Sequence, residues 1–307
     1  KKKKKFVAFE GGYHGDTMGA MSVGFSSGFY KPFKDLIFKS FFVPFPEDWK
    51  GNNSIDIQEK KSLNCIDELL NKHSSELAAI IIEPLVQGAS GMKMCRPEYL
   101  DKVVTKFQSK NVLVIFDEVM TGFGRTGKMF ASDYLKSNPD IICLAKSLTG
   151  GYLPLAVTVF KEFIHQAFID SSIDKAFLHG HSFSANPISC CAAIKSIELF
   201  HEEKTLDLIY KIQEIHKNGL NSLINNPFIT KTRFLGGIGA FDIIGFDEGY
   251  GARVGEILKK KFLEKGLLLR PLGSTFYIMP PYCISESCLK NVYKIIDEEI
   301  RKLKSIA

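Results

Sequence analysis

The sequence predicts an α/β protein, in which a large domain built on a mixed, mostly parallel sheet is followed by a smaller α+β domain. Two observations carry this prediction. In the first 200 residues, short and almost continuously apolar runs alternate with helical segments, a pattern typical of strands buried on both faces of a sheet. Several of these runs also end in polar residues, and open α/β sheets bind their ligands at such strand ends.

The predicted strands of the large domain are rich in β-branched and aromatic residues and show no polar alternation. They span residues 6–9, 78–82, 112–116, 141–145 and 155–160. We therefore expect all five to be covered on both faces. Between them, apolar side chains recur at helical spacing over residues 56–72, and residues 97–109 begin with a proline, which suits the first turn of a helix.

The pattern changes after Asn186. A small-residue helix is predicted from Pro187 to about Phe200, and an amphipathic helix over residues 205–225 links it to the remainder. That remainder predicts strands at 239–244, 266–269 and 275–279 and helices at 253–264 and 286–304. We place the domain boundary near residue 200, which gives a large domain over 1–200 and a small domain over 201–307.

Composition limits the classes of partner. The net charge of +6 (40 basic minus 34 acidic residues) depends partly on the five lysines at positions 1–5, and no aromatic and basic interleaving follows, so no nucleic-acid partner is expected. No apolar run approaches the roughly 18 residues needed to cross a bilayer, so no membrane partner is expected either. The seven cysteines form no C-x-x-C pair and lie in apolar contexts, which predicts buried thiols and a cytoplasmic location.

Lys146 is the most informative single residue. It lies where the apolar run 141–145 enters a turn ending in Gly150 and Gly151, 29 residues after the strand-end acid Asp117. A partly buried lysine with a lowered pKa forms imines readily, and a neighbouring carboxylate could pair with the pyridinium nitrogen of a cofactor. The alternatives are a solvated surface lysine, and for Asp117 a helix cap or a salt bridge to Arg125.

A phosphate-loop pattern also occurs but does not predict a nucleotide site. Residues 122–128 fit G-x-x-x-x-G-K. The next residue is Met129, which cannot offer Mg²⁺ a hydroxyl, and the acidic strand runs directly into the loop instead of forming a separate element. The glycines of this loop are expected to permit tight turns.

Other strand-end loops carry candidate binding residues. Tyr13 follows the first strand and could stack on a flat cofactor, although a packed loop aromatic is the alternative. The loop 179–187, with Gly180 and Ser182, precedes a helix and could hold a phosphate. Its two histidines lack a third ligand at suitable spacing, so no metal is expected. Glu83 and Arg270 also follow predicted strands, and the guanidinium of Arg270 suits a carboxylate.

Six segments resemble the class III aminotransferases, which are pyridoxal-phosphate enzymes of fold type I. They are GGYHGDTMGAMSV at 11–23, IIEPLVQGASGM at 81–92, VIFDEVMTGFGRTGKMFA at 114–131, PDIICLAKSLTGGYLPLA at 139–156, FLHGHSFSANP at 177–187 and RPLGSTFYIMPPY at 270–282. The first and last most resemble the branch of the family that serves biotin synthesis. The resemblance extends from Phe6 to the last helix.

The resemblance implies a role for each matched residue. Lys146 would form the imine with pyridoxal 5'-phosphate, Asp117 would hold the pyridinium proton, and Tyr13 would stack on the ring while also contacting substrate. Ser182 stands where threonine is commoner and would reach the phosphate from the partner subunit of a homodimer with a shared active site. The substrate would contact Lys146, Gly180, Arg270 and Tyr277, with Arg270 binding its carboxylate.

Two departures from the family pattern refine the expectation. Many class III members carry glutamine three residues after the aspartate, whereas this chain has Met120, which favours the biotin branch. Members of the family also have an additional N-terminal portion with a phosphate-binding Gly-Ser turn. We therefore expect this chain to be a C-terminal portion of such an enzyme.

The reaction implied is transfer of an amino group from S-adenosylmethionine to 8-amino-7-oxononanoate. Two alternatives stay open at this point. One is a class III enzyme that acts on another amine, such as a diamine or an ω-amino acid. The other is a non-catalytic remnant.

Overall fold

The computed structural model describes residues 3–24, 30–245 and 253–303. The strands in these ranges are β1 (Lys5–Phe9), β2 (Phe41–Val43), β3 (Leu77–Ile82), β4 (Val86–Gln87), β5 (Lys93–Met94), β6 (Leu113–Asp117), β7 (Ile141–Leu144), β8 (Val157–Phe160), β9 (Ile229–Leu235), β10 (Ile238–Ile243) and β11 (Thr275–Ile278). The largest sheet has six of these strands, in the spatial order β2-β1-β3-β6-β7-β8. Within this sheet the neighbouring pairs β2–β1, β1–β3, β3–β6 and β6–β7 are parallel. Strand β8 is antiparallel to β7. The predicted mixed, mostly parallel sheet is thus confirmed.

Helices cover the sheet and connect its strands. They are α1 (Met18–Val23), α2 (Ile55–His73), α3 (Pro97–Ser109), α4 (Glu162–Gln166), α5 (Pro187–Glu202), α6 (Thr205–Leu223), α7 (Arg253–Glu264) and α8 (Glu286–Arg301). Helix α3 has Pro97 in its first turn and buries Leu100, Val104 and Phe107 on one face. This i, i+4 spacing places an apolar stripe against the sheet. Lys304, the predicted end of the last helix, lies outside the described residues.

A second sheet, in the order β11-β10-β9, is antiparallel. Strand β10 contributes to both cores because its side chains alternate between faces. Ile238 and Ala240 pack in the core of the large sheet, whereas Phe241 and Ile243 pack in a C-terminal core with α6, α7 and α8. The two units therefore share a strand, and a division at residue 200 stays a prediction.

Two expectations about strands were wrong. Residues 266–269 form no strand: Gly266, at φ +76°, ends α7, and the backbone N–H of Leu267 donates to the carbonyl of Phe262, an arrangement that closes a helix C-terminus. Strand β8 is not covered on both faces, since all four of its residues are exposed. An apolar run indicates a buried strand only when other elements pack on it, and β8 lies at the edge of the sheet.

Candidate active site

A cleft of about 2150 Å³ opens at the carboxyl ends of the parallel strands. Parallel strands all end at one edge, so the loops that follow β1, β3, β6 and β7 meet there. Five of the predicted site residues line this cleft: Tyr13, Asp117, Lys146, Arg270 and Tyr277. Residues separated by up to 264 positions in the sequence therefore share one site.

Lys146 begins a short 3₁₀ helix, Lys146–Thr149, directly after β7. Its backbone has φ +44°, a left-handed conformation that non-glycine residues seldom adopt and that clusters at functional sites. Gly150, at φ +62°, ends this turn without steric cost. The expectation of a partly buried lysine was wrong for this chain, because the residue is exposed to the cleft.

Asp117 lies at the end of β6 and is 8% exposed. Its Oδ2 lies 2.8 Å from Nδ1 of His14, whose side chain is 3% exposed, and its Oδ1 accepts a hydrogen bond of 3.1 Å from the backbone N–H of Val119. The alternative of a salt bridge to Arg125 was wrong. The carboxylate is instead oriented by a buried imidazole, which fixes one oxygen and leaves the group at the cleft surface.

Glu83 is a buried carboxyl group between two loops of the cleft. Its two oxygens accept hydrogen bonds from the backbone N–H groups of Tyr13, at 2.9 Å, and Gly88, at 3.0 Å. Burial raises the pKa of Glu83 to about 7, although the charge of His14 and the two N–H groups act in the opposite direction. The nearby charge of Asp117 adds to the rise. Glu83 therefore fixes the loop that carries Tyr13 and titrates near neutral pH.

Tyr13 is half-buried, and its phenol donates a hydrogen bond of 3.0 Å to Oδ2 of Asp16. Burial raises the pKa of Tyr13, and the hydrogen bond to Asp16 raises it further. The phenol thus stays protonated at neutral pH. With its backbone held by Glu83 and its hydroxyl by Asp16, the ring has a fixed place in the wall of the cleft.

Two guanidinium groups, of Arg270 and Arg125, also line the cleft. Arg270 follows Leu269 in an irregular segment and is exposed to the cleft, and Tyr277 lies nearby on β11. Arg125 stacks on the ring of Tyr282, 4.6 Å from its centroid, and donates to the carbonyl of Pro280 at 3.3 Å. Among the described residues Arg125 has no carboxylate partner, and burial lowers its pKa.

Two cleft residues were not identified from the sequence as site residues. His14 was only part of a motif, and Arg125 was considered only as a partner of Asp117. A signal existed for both, because each lies in a loop that follows a parallel strand, at the edge where Asp117 ends. The spacing gave no indication of which partner each would contact.

Gly180 and Ser182 do not line the cleft of this chain. Both are exposed, in a segment where the backbone N–H of His181 donates to Oγ of Ser184. Their predicted contacts with phosphate and substrate therefore stay predictions.

The described residues provide neither a metal-binding cluster nor a membrane-spanning helix. The described ranges contain no group of three or more histidine, cysteine, aspartate or glutamate side chains able to hold a metal ion. Over the same ranges, no helix has both the length and the apolar character required to cross a membrane.

Comparison with known proteins identifies the family. The model of the family "Aminotransferase class-III" matches residues 1–300. The adenosylmethionine-8-amino-7-oxononanoate aminotransferases of Synechococcus elongatus and Helicobacter pylori are 43% and 37% identical, over 96% and 98% of this chain and 68% and 69% of their own. The crystal structure of the enzyme of that name from Methanocaldococcus jannaschii superposes with a TM-score of 0.90 at 33% identity, covering 99% of this chain and 69% of that one. The chain therefore belongs to the class III aminotransferases, a family of pyridoxal-phosphate-dependent enzymes of fold type I.

Proposed function

We propose that this protein transfers the amino group of S-adenosylmethionine to 8-amino-7-oxononanoate, giving 7,8-diaminononanoate for biotin synthesis. The observation that carries the proposal is the meeting of Lys146, Asp117 and Tyr13 in one cleft. The printed name of the relatives with 43% and 37% identity supports the choice of substrates.

The groups in the cleft suit pyridoxal phosphate. This cofactor needs an amine for its carbonyl carbon, an acid for its ring nitrogen and a flat contact for its ring. Lys146 would hold it covalently, the oriented carboxylate of Asp117 would hold the ring-nitrogen proton, and Tyr13 would contact the ring. Ser182 of a partner subunit would bind the phosphate. Bound in this way, the cofactor stores the electrons released when a C–H bond of the substrate breaks.

Each residue of the site would then have a separate task in the reaction. At the 2.8 Å separation observed, Nδ1 of His14 can donate a hydrogen bond to Oδ2 of Asp117 and so hold this carboxylate in place. Once released from the cofactor by the incoming substrate amine, Lys146 Nζ would act as general base and then general acid, moving a proton between a carbon of the substrate and a carbon of the cofactor. Its exposure to the cleft permits this. Glu83 holds the Tyr13 loop in place while this happens.

The carboxylate end of the substrate would lie in the part of the cleft that Arg270 and Tyr277 line. Arg270 is exposed to the cleft and would bind the carboxylate through its fork of N–H donors, beside Tyr277. Arg125 adds a second positive charge with no carboxylate partner among the described residues. Gly180 of the partner subunit would complete the substrate pocket.

We further propose that the protein acts as a homodimer with a shared active site, in the cytoplasm. The dimer is supported by the exposed segment that carries Gly180 and Ser182, which lie away from the cleft of their own chain. The location is supported by the seven free cysteines, since thiols persist in a reducing compartment. Fractionation of cells that express the protein tests the location.

The decisive experiment uses the intact protein loaded with pyridoxal phosphate. Addition of S-adenosylmethionine is expected to bleach the absorption band of the bound pyridoxal form, and later addition of 8-amino-7-oxononanoate should restore it. Lys146→Ala should lose borohydride-trapped cofactor and about 10²–10⁴-fold or more in turnover, as expected for loss of a general acid-base group.

Three results would contradict the proposal. Bleaching by simple ω-amines but not by S-adenosylmethionine would indicate a different class III substrate. Absence of the absorption band would indicate a non-catalytic protein. Trapping of cofactor on another lysine in the Lys146→Ala variant would overturn the assignment of Lys146.

A further inference from the structure

The tip of the β4–β5 hairpin forms part of the cleft wall. Strands β4 and β5 pair antiparallel, and residues 88–92 connect them. Gly88, Ala89 and Met92 of this tip line the cleft. Gly91 and Met92 have φ of +96° and +51°, so the tip is a tight and partly strained turn. Contacts with other residues must stabilise the tip in this conformation.

Arg233 on β9 holds the tip from behind. Its Nε donates a hydrogen bond of 2.8 Å to the carbonyl of Met92, and its Nη2 donates to the carbonyl of Gly91. The residue is only 7% exposed and does not line the cleft. Its guanidinium therefore satisfies two consecutive carbonyl groups of the strained turn, which a single point charge cannot do with the same geometry.

The same guanidinium connects the tip to β11. Arg233 Nη2 lies 2.9 Å from Oδ1 of Asp242, and that oxygen also accepts a hydrogen bond of 2.9 Å from Oγ1 of Thr275. A Cβ atom placed on Gly91 would lie 2.9 Å from Thr275 Oγ1, so the tip passes directly against β11. A continuous chain of contacts thus runs from the tip, through Arg233 and Asp242, to Thr275.

Strand β11 and the residue that follows it also contribute to the lining of the cleft. Thr275 and Tyr277 are two residues apart and so lie on the same face of the strand. Tyr277 and Met279 line the cleft. The distance between the hairpin tip and Tyr277 is therefore set by the contacts that Arg233 and Asp242 make behind them.

We propose that Arg233 is a positioning residue that sets the width of the substrate end of the cleft by joining the tip 88–92 to β11. The inference rests on the proposed function, in which Tyr277 lines the pocket for 8-amino-7-oxononanoate. Loss of the guanidinium leaves the two tip carbonyls without their donors and Asp242 with an unpaired charge in a poorly solvated position. The tip then relaxes away from β11, and the substrate loses its fixed contacts.

Three variants of the cofactor-loaded, full-length protein test this. Arg233→Lys keeps the positive charge but loses the planar set of N–H donors that reaches both tip carbonyls. Thr275→Val removes the hydrogen bond to Asp242 and nearly keeps the shape of the side chain. Arg96→Met is the matched control, since Arg96 makes two hydrogen bonds to Glu59 but does not line the cleft. Arg233→Lys is expected to raise KM for 8-amino-7-oxononanoate about 10- to 100-fold, the factor that corresponds to the loss of one hydrogen bond to a charged group. Its kcat and cofactor affinity should stay near those of the wild type.

A second readout does not depend on activity. Backbone hydrogen exchange of residues 88–92 should be faster in Arg233→Lys and Thr275→Val, and unchanged in Arg96→Met. Unchanged exchange in both variants would overturn the connection itself. Faster exchange with an unchanged KM would overturn the positioning role. A wild-type protein without activity on 8-amino-7-oxononanoate would contradict the proposed function, while hydrogen exchange would still decide the role of Arg233 in holding the tip.

Discussion

Three titratable residues with buried or nearly buried side chains, His14, Glu83 and Asp117, line the cleft. His14 and Asp117 form a close pair, and Glu83 lies near enough for both of their charges to affect it. Burial of the Glu83 carboxyl group favours its neutral form and outweighs the opposite effect of its two backbone N–H donors. At neutral pH Glu83 is therefore close to its titration midpoint, next to the hydrogen-bonded pair of His14 and Asp117.

We expect the free energy of unfolding to depend on Glu83 in the pH range from about 4.5 to 7. Its pKa is raised from 4.5 to about 7 in the folded protein, so the folded state binds more protons than the unfolded state in this range. Stability then falls as pH rises through the range, by roughly 3 kcal/mol at most. Glu83→Gln should remove this contribution.

Urea unfolding of the wild type and of Glu83→Gln at several pH values measures this pH dependence of the free energy of unfolding. Glu68→Gln is the control, because Glu68 is exposed. An equal fall in stability in wild type and Glu83→Gln would contradict the assignment.

The individual residues of the site were only partly predictable. Lys146, Asp117 and Tyr13 could be identified because each follows an apolar run, and sequence patterns record strand ends. The contact of His14 with Asp117 joins residues 103 positions apart. No local pattern encodes a contact of that range, so the alternative of Arg125 as the partner seemed equally reasonable.

Among the elements, the turn between β9 and β10 is closely packed. It consists of Gly236 and Gly237, and the backbone N–H of Gly237 donates to the carbonyl of Arg125. A Cβ atom on Gly236, at φ +56°, would lie 2.2 Å from backbone atoms of Thr126 and Gly127. The turn thus supports the loop that presents Arg125 to the cleft.

Gly236→Ala is expected to destabilise the protein strongly. The left-handed backbone costs an alanine about 1–2 kcal/mol, and the clash with backbone atoms adds about 1–3 kcal/mol. Gly51→Ala is the matched control, because Gly51 also has a positive φ, of +89°, but open space around its Cα. Thermal unfolding measures both. Equal losses of stability in the two variants would show that the close packing has no energetic effect.

For strand β8, some properties could be predicted from the sequence and others could not. Its position, its C-terminal end and its apolar character were predicted, but it starts two residues later than expected and has four residues instead of six. Burial on both faces was predicted and is wrong, and its direction was not predicted. Both properties depend on which element packs beside the strand.

At the scale of the whole molecule, a long stretch of the chain leaves large apolar side chains exposed. From residue 152 to 199 these are Tyr152, Val157, Val159, Phe160, Phe163, Phe168, Ile169, Ile173, Phe177, Leu178, Phe183, Ile188, Ile194 and Leu199. An exposed set of this size is unusual for a monomer and typical of a surface that other polypeptide covers. The segment includes Gly180 and Ser182.

Subunit mixing tests whether the active site is shared. We expect Lys146→Ala and Ser182→Ala variants each to have low activity. If Ser182 serves the partner's cleft, dissociating and reassociating the two variants together should restore activity to about a quarter of the wild-type value, since half of the dimers contain one site without a change. The control mixes Lys146→Ala with Asp117→Asn. Both of these residues belong to the same cleft, so no restoration is expected. Failure of the first mixture to regain activity would contradict the shared site.

The sequence by itself determined five of the six strands of the large sheet, the six longest helices, the strand-end location of Lys146 and Asp117, and the family. These properties follow from local patterns of apolar and polar residues and from short motifs. The sequence did not indicate the short elements β2, β4, β5, α1 and α4, nor β9. Only the tertiary structure decided that His14 orients Asp117, that Lys146 is exposed in this chain, and that Arg233 joins the hairpin tip to β11. The physical reason is that hydrogen bonds, burial and pKa shifts depend on atoms brought together from distant parts of the chain, and the spacing of residues along the sequence does not record those distances.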